Sequence, residues 1–233
     1  MINSLYFITC ILALLLGAPS TEGYQLSKEE LELKVSQGES LQGMDLSGLD
    51  LRGAKLQGAK MLETNLSHTD LRGARLEGAF LQKADLRAAK ISYADLSNVS
   101  FQGAKFDTSR QVGMKLDRSN FSQTKIGQVT WIDVSCKFCN FTQSKLKLSH
   151  LSGTFFYADF SKSDLSGAKM SGIKMQGVKF HGSELKGVDF SNSKLDGAEF
   201  YRANLSQATL TNVSVKGAEF SQANLKGAIL DKK

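Results

Sequence analysis

Proline is nearly missing. The one proline among 233 residues is Pro19, so nothing after it removes a backbone donor. Such an absence points to a chain whose amides are almost all engaged in a ladder. Histidine and cysteine are scarce too, three of each, and there is a single tryptophan. No apolar run is long enough for a stable bilayer anchor, the stretch Leu5–Leu16 having only 12 residues. An excess of negative charge is also lacking: 29 Lys and Arg stand against 23 Asp and Glu, a formal net charge of +6. With 41% hydrophobic and 22% charged residues, the composition excludes both a disordered chain and a polytopic membrane protein.

The first segment reads as an export signal. The apolar run LYFITCILALLL is followed by Gly17, Ala18, Ser20, Thr21 and Gly23, small residues suited to a cut after Ser20 or Gly23. The leading Met1–Ser4 carries no Lys or Arg, so its positive charge is the amino terminus alone. Cys10 would leave with the signal. The expected organisation is a signal peptide at 1–23, an N-terminal cap segment at 24–40 and a repeat domain at 41–233.

Glycine is plentiful, 21 residues, and its placement exposes the repeat. Large apolar centres recur every five residues from Leu41 to Phe156; one residue is then lost, and they resume from Phe160 to Leu230. That is 39 repeats, with only Gln111 breaking the apolar rule. Two residues before each centre stands Ala, Ser, Thr, Val or Cys in 34 of them, and two after it stands Gly in 17. Such regularity is an architecture rather than a motif. A period of five fits neither a helix face nor an alternating strand. It fits a short extended side followed by a turn, with glycine easing the corner where φ is positive.

Ala84-Asp85-Leu86-Arg87-Ala88 and Ala203-Asn204-Leu205-Ser206-Gln207 resemble the A(D/N)LXX motif of the pentapeptide-repeat family. The resemblance implies an all-β solenoid, a right-handed quadrilateral β-helix with four repeats per coil. The residues offer their own check on four. Phe101, Phe121, Phe141, Phe160, Phe180, Phe200 and Phe220 are every fourth centre, and they make one column only if the coil with the lost residue has 19. At the strand spacing the whole would be a rod about 45 Å long. Ser27-Lys28-Glu29-Glu30 is a capping-box signature, so a short capping helix over Lys28–Gln37 is predicted on the first coil.

Candidate chemistry is sparse. Cys136-Lys137-Phe138-Cys139 has C-x-x-C spacing, with Cys136 at a centre and Cys139 at the next small position. Two buried thiols, or a disulfide in an oxidising compartment, are both compatible with that placement. His68, His150 and His181 fall on different corners, and no histidine–carboxylate set is expected. Catalytic, cofactor and metal residues are therefore none. The stretch Ser109–Phe160 departs most from the repeat. Gln111 is expected to find the Trp131 indole N–H directly above it. Phe138, Phe155 and Tyr157 are expected outward around one corner, with Ile132 exposed nearby. Lys105, Lys125 and Lys145 would stack one per coil, where like charges repel, and either a solvated protective face or an anionic partner explains them. Six Asn-x-Ser/Thr sequons begin at Asn65, Asn98, Asn120, Asn140, Asn204 and Asn212.

The resulting functional expectation is a non-enzymatic, exported scaffold in a periplasm, lumen or extracellular space, binding an unknown protein or anionic partner through its lateral faces. The alternative is a DNA mimic like the gyrase-protecting members of the family, but that needs an acidic rod in the cytoplasm. Direct nucleic-acid binding fits the charge and not the address. After signal cleavage no membrane span is expected. The apolar rim of the C-terminal coil is expected to associate, as a weak tail-to-tail homodimer or with a capping partner, unless Lys232 and Lys233 keep it a charge-protected monomer.

Overall fold

The computed structural model describes residues 26–107 and 109–231; the expected signal at 1–23 lies outside them, as do Lys232 and Lys233. The chain opens with α1, Lys28–Ser36, and then winds as a solenoid. Ser27 Oγ accepts from Glu30 N at 3.2 Å while Glu30 Oε2 accepts from Ser27 N at 2.9 Å, so the first helical turn holds itself closed. Leu31 packs fully buried against the core. Glu32 accepts the Lys55 amide at 2.8 Å, taking a first-coil donor that later coils give to a carbonyl of the preceding coil.

Outside the short coil, residues before centres form parallel bridges with the residue 20 positions on, as in Asp45↔Asn65, Asp85↔Lys105 and Lys105↔Lys125; across it the spacing is 19, as in Asn140↔Asp159. Four five-residue sides per coil follow directly. Between sides the chain turns tightly: Ala54 N donates to Leu51 O at 3.1 Å across a corner whose third residue, Gly53, has φ 66°. That is type II turn geometry, which favours glycine at the left-handed position. Among the described residues, nineteen non-glycine residues hold the same conformation elsewhere along the rod, Tyr93, Phe138 and Tyr157 among them.

The centres and small positions fill the interior from Leu31 to Leu210. Buried hydroxyls at small positions donate to main-chain carbonyls, either one coil back, as Thr64 Oγ1 does to Leu41 O at 2.9 Å, or three residues back, as Ser183 Oγ does to Phe180 O at 2.7 Å, so they carry no unpaired polar atom into the core. The phenylalanine column forms, its successive ring centroids 4.6, 4.8, 4.5, 5.5, 5.2 and 4.7 Å apart from Phe101 to Phe220.

Longer pairings interrupt the single bridges in the irregular region. Strands β1 (Arg110–Val112), β2 (Thr130–Ser135) and β3 (His150–Thr154) form a parallel sheet in that order. A two-residue pair, β4 (Thr209–Leu210) and β5 (Ile229–Leu230), follows near the far end. Trp131 pairs with Leu151 but Val134 pairs with Gly153, so three steps on β2 face two on β3. The lost residue therefore falls between Leu151 and Phe155, earlier than the sequence period places it. Phe155, not Phe156, is the core centre, and Phe156 is half-buried outside. Gly153 makes this fit, with φ 119° and no room for a Cβ against the Val134 backbone.

Gln111 also departs from expectation. Its Oε1 accepts from Ile91 N at 2.9 Å and Ser92 Oγ at 3.1 Å, and its Nε2 donates to Ala89 O at 2.9 Å. In regular coils the residue before a centre supplies both functions from its own peptide, as Lys90 O does for Leu71 N and Lys105 N does for Ala84 O. The Gln111 side-chain amide thus stands in for a main-chain rung. Trp131 is left out of this arrangement: its Nε1 is buried with no hydrogen-bond partner.

Candidate functional site

Because successive coils stack in register, a column of outward side chains is a property of positions 20 apart, and two such columns dominate the middle of the rod. In the first, Lys105, Lys125 and Lys145 are bridged neighbours and all are exposed. Adjacent rungs lie about 4.8 Å apart. Like charges at such spacing repel by up to about 1 kcal/mol per pair in water. The column is closed at both ends by carboxylates, Asp85 below Lys105 and Asp164 above Lys145. Neither forms an ion pair with the column. Arg87 forks onto Asp85 with both Nε and Nη2, and that guanidinium holds the Asp85 carboxyl below its ordinary range. Asp164 Oδ1 accepts from the amide and hydroxyl of Ser166. Among the described residues no carboxylate comes within ion-pair distance of the three ammonium groups.

Around the preceding corner runs a ladder of side-chain amides. Gln102 Nε2 donates to Gln123 Oε1 at 3.4 Å, and Gln123 Nε2 donates to Gln143 Oε1 at 3.3 Å. Their nearness to the lysines can be read from spacing alone, since Gln123 precedes Lys125 and Gln143 precedes Lys145 by two.

The second column lies across the intervening face. Phe138 and Tyr157 stack at 5.3 Å and 12°, with Arg118 placed 5.9 Å over the Phe138 ring. Tyr157 in turn lies flat over Gly177, where any Cβ would strike its ring. The two rings are 54% and 59% exposed although both sit at left-handed φ, 58° and 56°. Such a backbone costs an L-residue roughly 1–2 kcal/mol, and the stack returns about 0.5–1.5 kcal/mol. Glycine holds the same corner at 177, 197 and 217. Beyond Tyr157, Gly177 and Gly197 floor a shallow groove of about 550 Å³ edged by Gln176, Lys179, Asp196 and Glu199.

The expected aromatic corner holds Phe138 and Tyr157 but not Phe155. Phe155 is a fully buried core centre and leaves the surface altogether. Ile132 is half-buried rather than exposed. The lysines and the Phe138–Tyr157 pair lie at different corners and border opposite edges of one face. Arg118 was legible as the same corner one coil before Phe138.

Cys136 and Cys139 form a disulfide, both residues buried and their Cα atoms 5.5 Å apart. It lies inside the coil, away from any surface where exchange could begin. His181 pairs with Glu199 at 2.6 Å, against the expectation that no histidine would meet a carboxylate. His181 follows the centre Phe180 and Glu199 precedes Phe200 one coil on, so the two are 18 apart, two short of the coil spacing, and lie side by side on neighbouring coils. Among the described residues no group of three or more His, Cys, Asp or Glu could hold a metal ion, and no helix is long and apolar enough to cross a membrane. The displaced titrations belong to corner pairs, such as Asp50, which the hydrogen-bonded Arg52 guanidinium lowers to about 2.

Comparison with known proteins agrees with this geometry. The family model for pentapeptide repeats matches eight copies, over residues 40–73, 69–107, 132–182, 173–212 and 203–232. No curated protein matches the chain. Among solved structures, HetL, a pentapeptide-repeat protein involved in heterocyst differentiation regulation in the cyanobacterium Nostoc sp. strain PCC 7120, is 24% identical, with 88% of this chain and 98% of that one covered, at a TM-score of 0.39. Full-length QnrB1, a plasmid-mediated fluoroquinolone resistance protein, is 15% identical over 83% of this chain and 94% of its own, at a TM-score of 0.50. The repeat period, the four-sided coil and the matched residues together establish that the chain belongs to the pentapeptide-repeat family.

Proposed function

We propose that this chain is a non-enzymatic, exported binding scaffold that engages its partner through its lateral faces in the middle of the rod. The right-handed winding implied by the family resemblance is part of that reading, and so is α1 as the cover of the first coil. One observation carries it. Phe138 and Tyr157 occupy a corner that glycine fills at lower conformational cost, and their rings stay more than half exposed. Their stack does no more than offset the backbone strain, so stability does not account for them. Exposed aromatics beside a shallow groove suit a partner's surface.

The DNA-mimic alternative is weaker. Mimicry of a phosphate backbone needs an acidic rod, whereas the formal charge here is +6 and the lysine column is uncompensated. Two experiments test the proposal. A photo-cross-linking side chain at position 138 should form a discrete adduct in the exported fraction, while the same group at His68, on another corner, should not. Equal labelling at both positions, or none at 138, refutes lateral recognition. Mass spectrometry of the exported protein should find a new N-terminus at Thr21 or Tyr24; intact Met1 in soluble cytosol refutes export.

A further inference from the structure

We infer that the lysine column and the neighbouring glutamine ladder together form a binding site for an acidic polysaccharide, a glycan bearing sulfate or carboxylate groups. This deepens the lateral-face reading and rests on it, with a different edge of the same face as the site.

Three features of the column argue for an anionic ligand rather than a solvated surface. Lys105, Lys125 and Lys145 are bridged neighbours, so their charges are held in line rather than scattered. The two carboxylates nearest in the column are already committed, Asp85 to Arg87 and Asp164 to Ser166. The end carboxylates act on the outer lysines alone, Asp85 on Lys105 and Asp164 beside Lys145, so the repulsion felt by the central Lys125 is relieved only from outside. An anion on each rung would do so.

The amide ladder selects the class of anion. Gln102, Gln123 and Gln143 run along the same stretch of coils, bonded to one another in series. Each amide carries donor and acceptor capacity beyond the one or two bonds it makes in the ladder, the groups that recognise sugar hydroxyls. A ligand on both ladders must present hydroxyls and anionic groups alternately across its width at a repeat of about 4.8 Å. An extended acidic glycan does this, one sugar unit to a coil. A β-strand with acidic side chains repeats on one side only every two residues, about 6.6 Å, and falls out of step. Single-stranded nucleic acid is held by bases stacked on aromatic side chains, and the exposed stack of Phe138 and Tyr157 lies across the face from the lysines. Asp85 and Asp164 limit the site to three rungs, so the bound segment is about three sugar units long.

The test uses the purified full chain and a size-defined, heparin-derived hexasaccharide, with affinity measured against salt concentration. Each lysine that contacts an anionic group contributes roughly one to the salt slope. Replacing all three together (K105Q, K125Q, K145Q) should weaken binding by about tenfold or more and flatten the slope by about three. Substituting Gln123→Ala with Gln143→Ala should weaken binding while leaving the slope unchanged, because those contacts are neutral. A matched control changes three lysines on another side, K174Q, K194Q and K216Q, and should leave affinity within about twofold. An equal loss in the control overturns the site, since net charge alone then explains the binding. Tighter binding of single-stranded DNA or RNA of equal length overturns the ligand class. No measurable hexasaccharide binding overturns the inference outright, while the cross-linking result at position 138 independently decides the lateral-face reading.

Discussion

Gln111→Leu restores the apolar rule of the repeat and should nonetheless destabilise the protein. Gln111 is 3% exposed, and its amide satisfies the main-chain groups Ile91 N and Ala89 O, each at 2.9 Å. Leucine leaves both without partners. A buried donor or acceptor stripped of its partner costs about 1–3 kcal/mol, so the two together cost about 2–6 kcal/mol. Burying the leucine side chain returns about 1.5–3 kcal/mol. The net expectation is a loss of about 1–3 kcal/mol, in the direction opposite to what the repeat suggests. Urea denaturation followed by circular dichroism measures the total. Amide hydrogen exchange reads the cause locally, since Ile91 should exchange faster in the variant than in the parent while Leu71, whose amide keeps its Lys90 carbonyl, should not. If Gln111→Leu is as stable as the parent, then the Arg110 peptide can complete the regular rung by itself, and the substitution of a side-chain amide for a main-chain one is not what holds this coil.

Three further outcomes follow from the same packing. Gly153→Ala should cost roughly 2–4 kcal/mol by urea denaturation, because a Cβ at φ 119° meets the Val134 backbone; a loss below about 1 kcal/mol would mean that β3 can shift away. Arg52, Arg72 and Arg87 hydrogen-bond to Asp50, Asp70 and Asp85 and lower their carboxyls below the usual value, to about 2 for Asp50. A lowered folded-state value stabilises above the unfolded one and is lost as pH falls, so melting temperature should drop between about pH 4 and pH 2 and the D50N, D70N, D85N triple variant should show a flatter profile. At the far end of the described chain, Leu225 and Leu230 are 37% and 56% exposed beside a recess lined by Leu210 and Phe220; sedimentation should show weak self-association that Leu225→Lys abolishes, and identical monomers for both proteins at high concentration would refute it.

Most of the architecture was legible without coordinates, because a solenoid makes contacts between coils a function of sequence spacing. The period of five sets the sides, and the phenylalanines at every fourth centre set the number of sides. The Ser27–Glu30 pair marks where α1 begins, since both of its bonds are local. The lysine column was legible for the same reason, its members lying 20 apart. The exceptions were not. Phe155 and Phe156 both satisfy an apolar rule, so composition cannot say which one faces inward. The pairing of Val134 with Gly153 decides it, through a glycine that alone permits the backbones to approach. Gln111 likewise sits directly below Trp131, and adjacency suggested a bond between them. Only the folded chain shows that the glutamine turns to the coil below, where two buried main-chain groups lack partners, leaving the indole N–H unpaired. Periodicity determines which residues become neighbours, but where the period slips, steric room and unsatisfied hydrogen bonds determine which neighbour each residue takes.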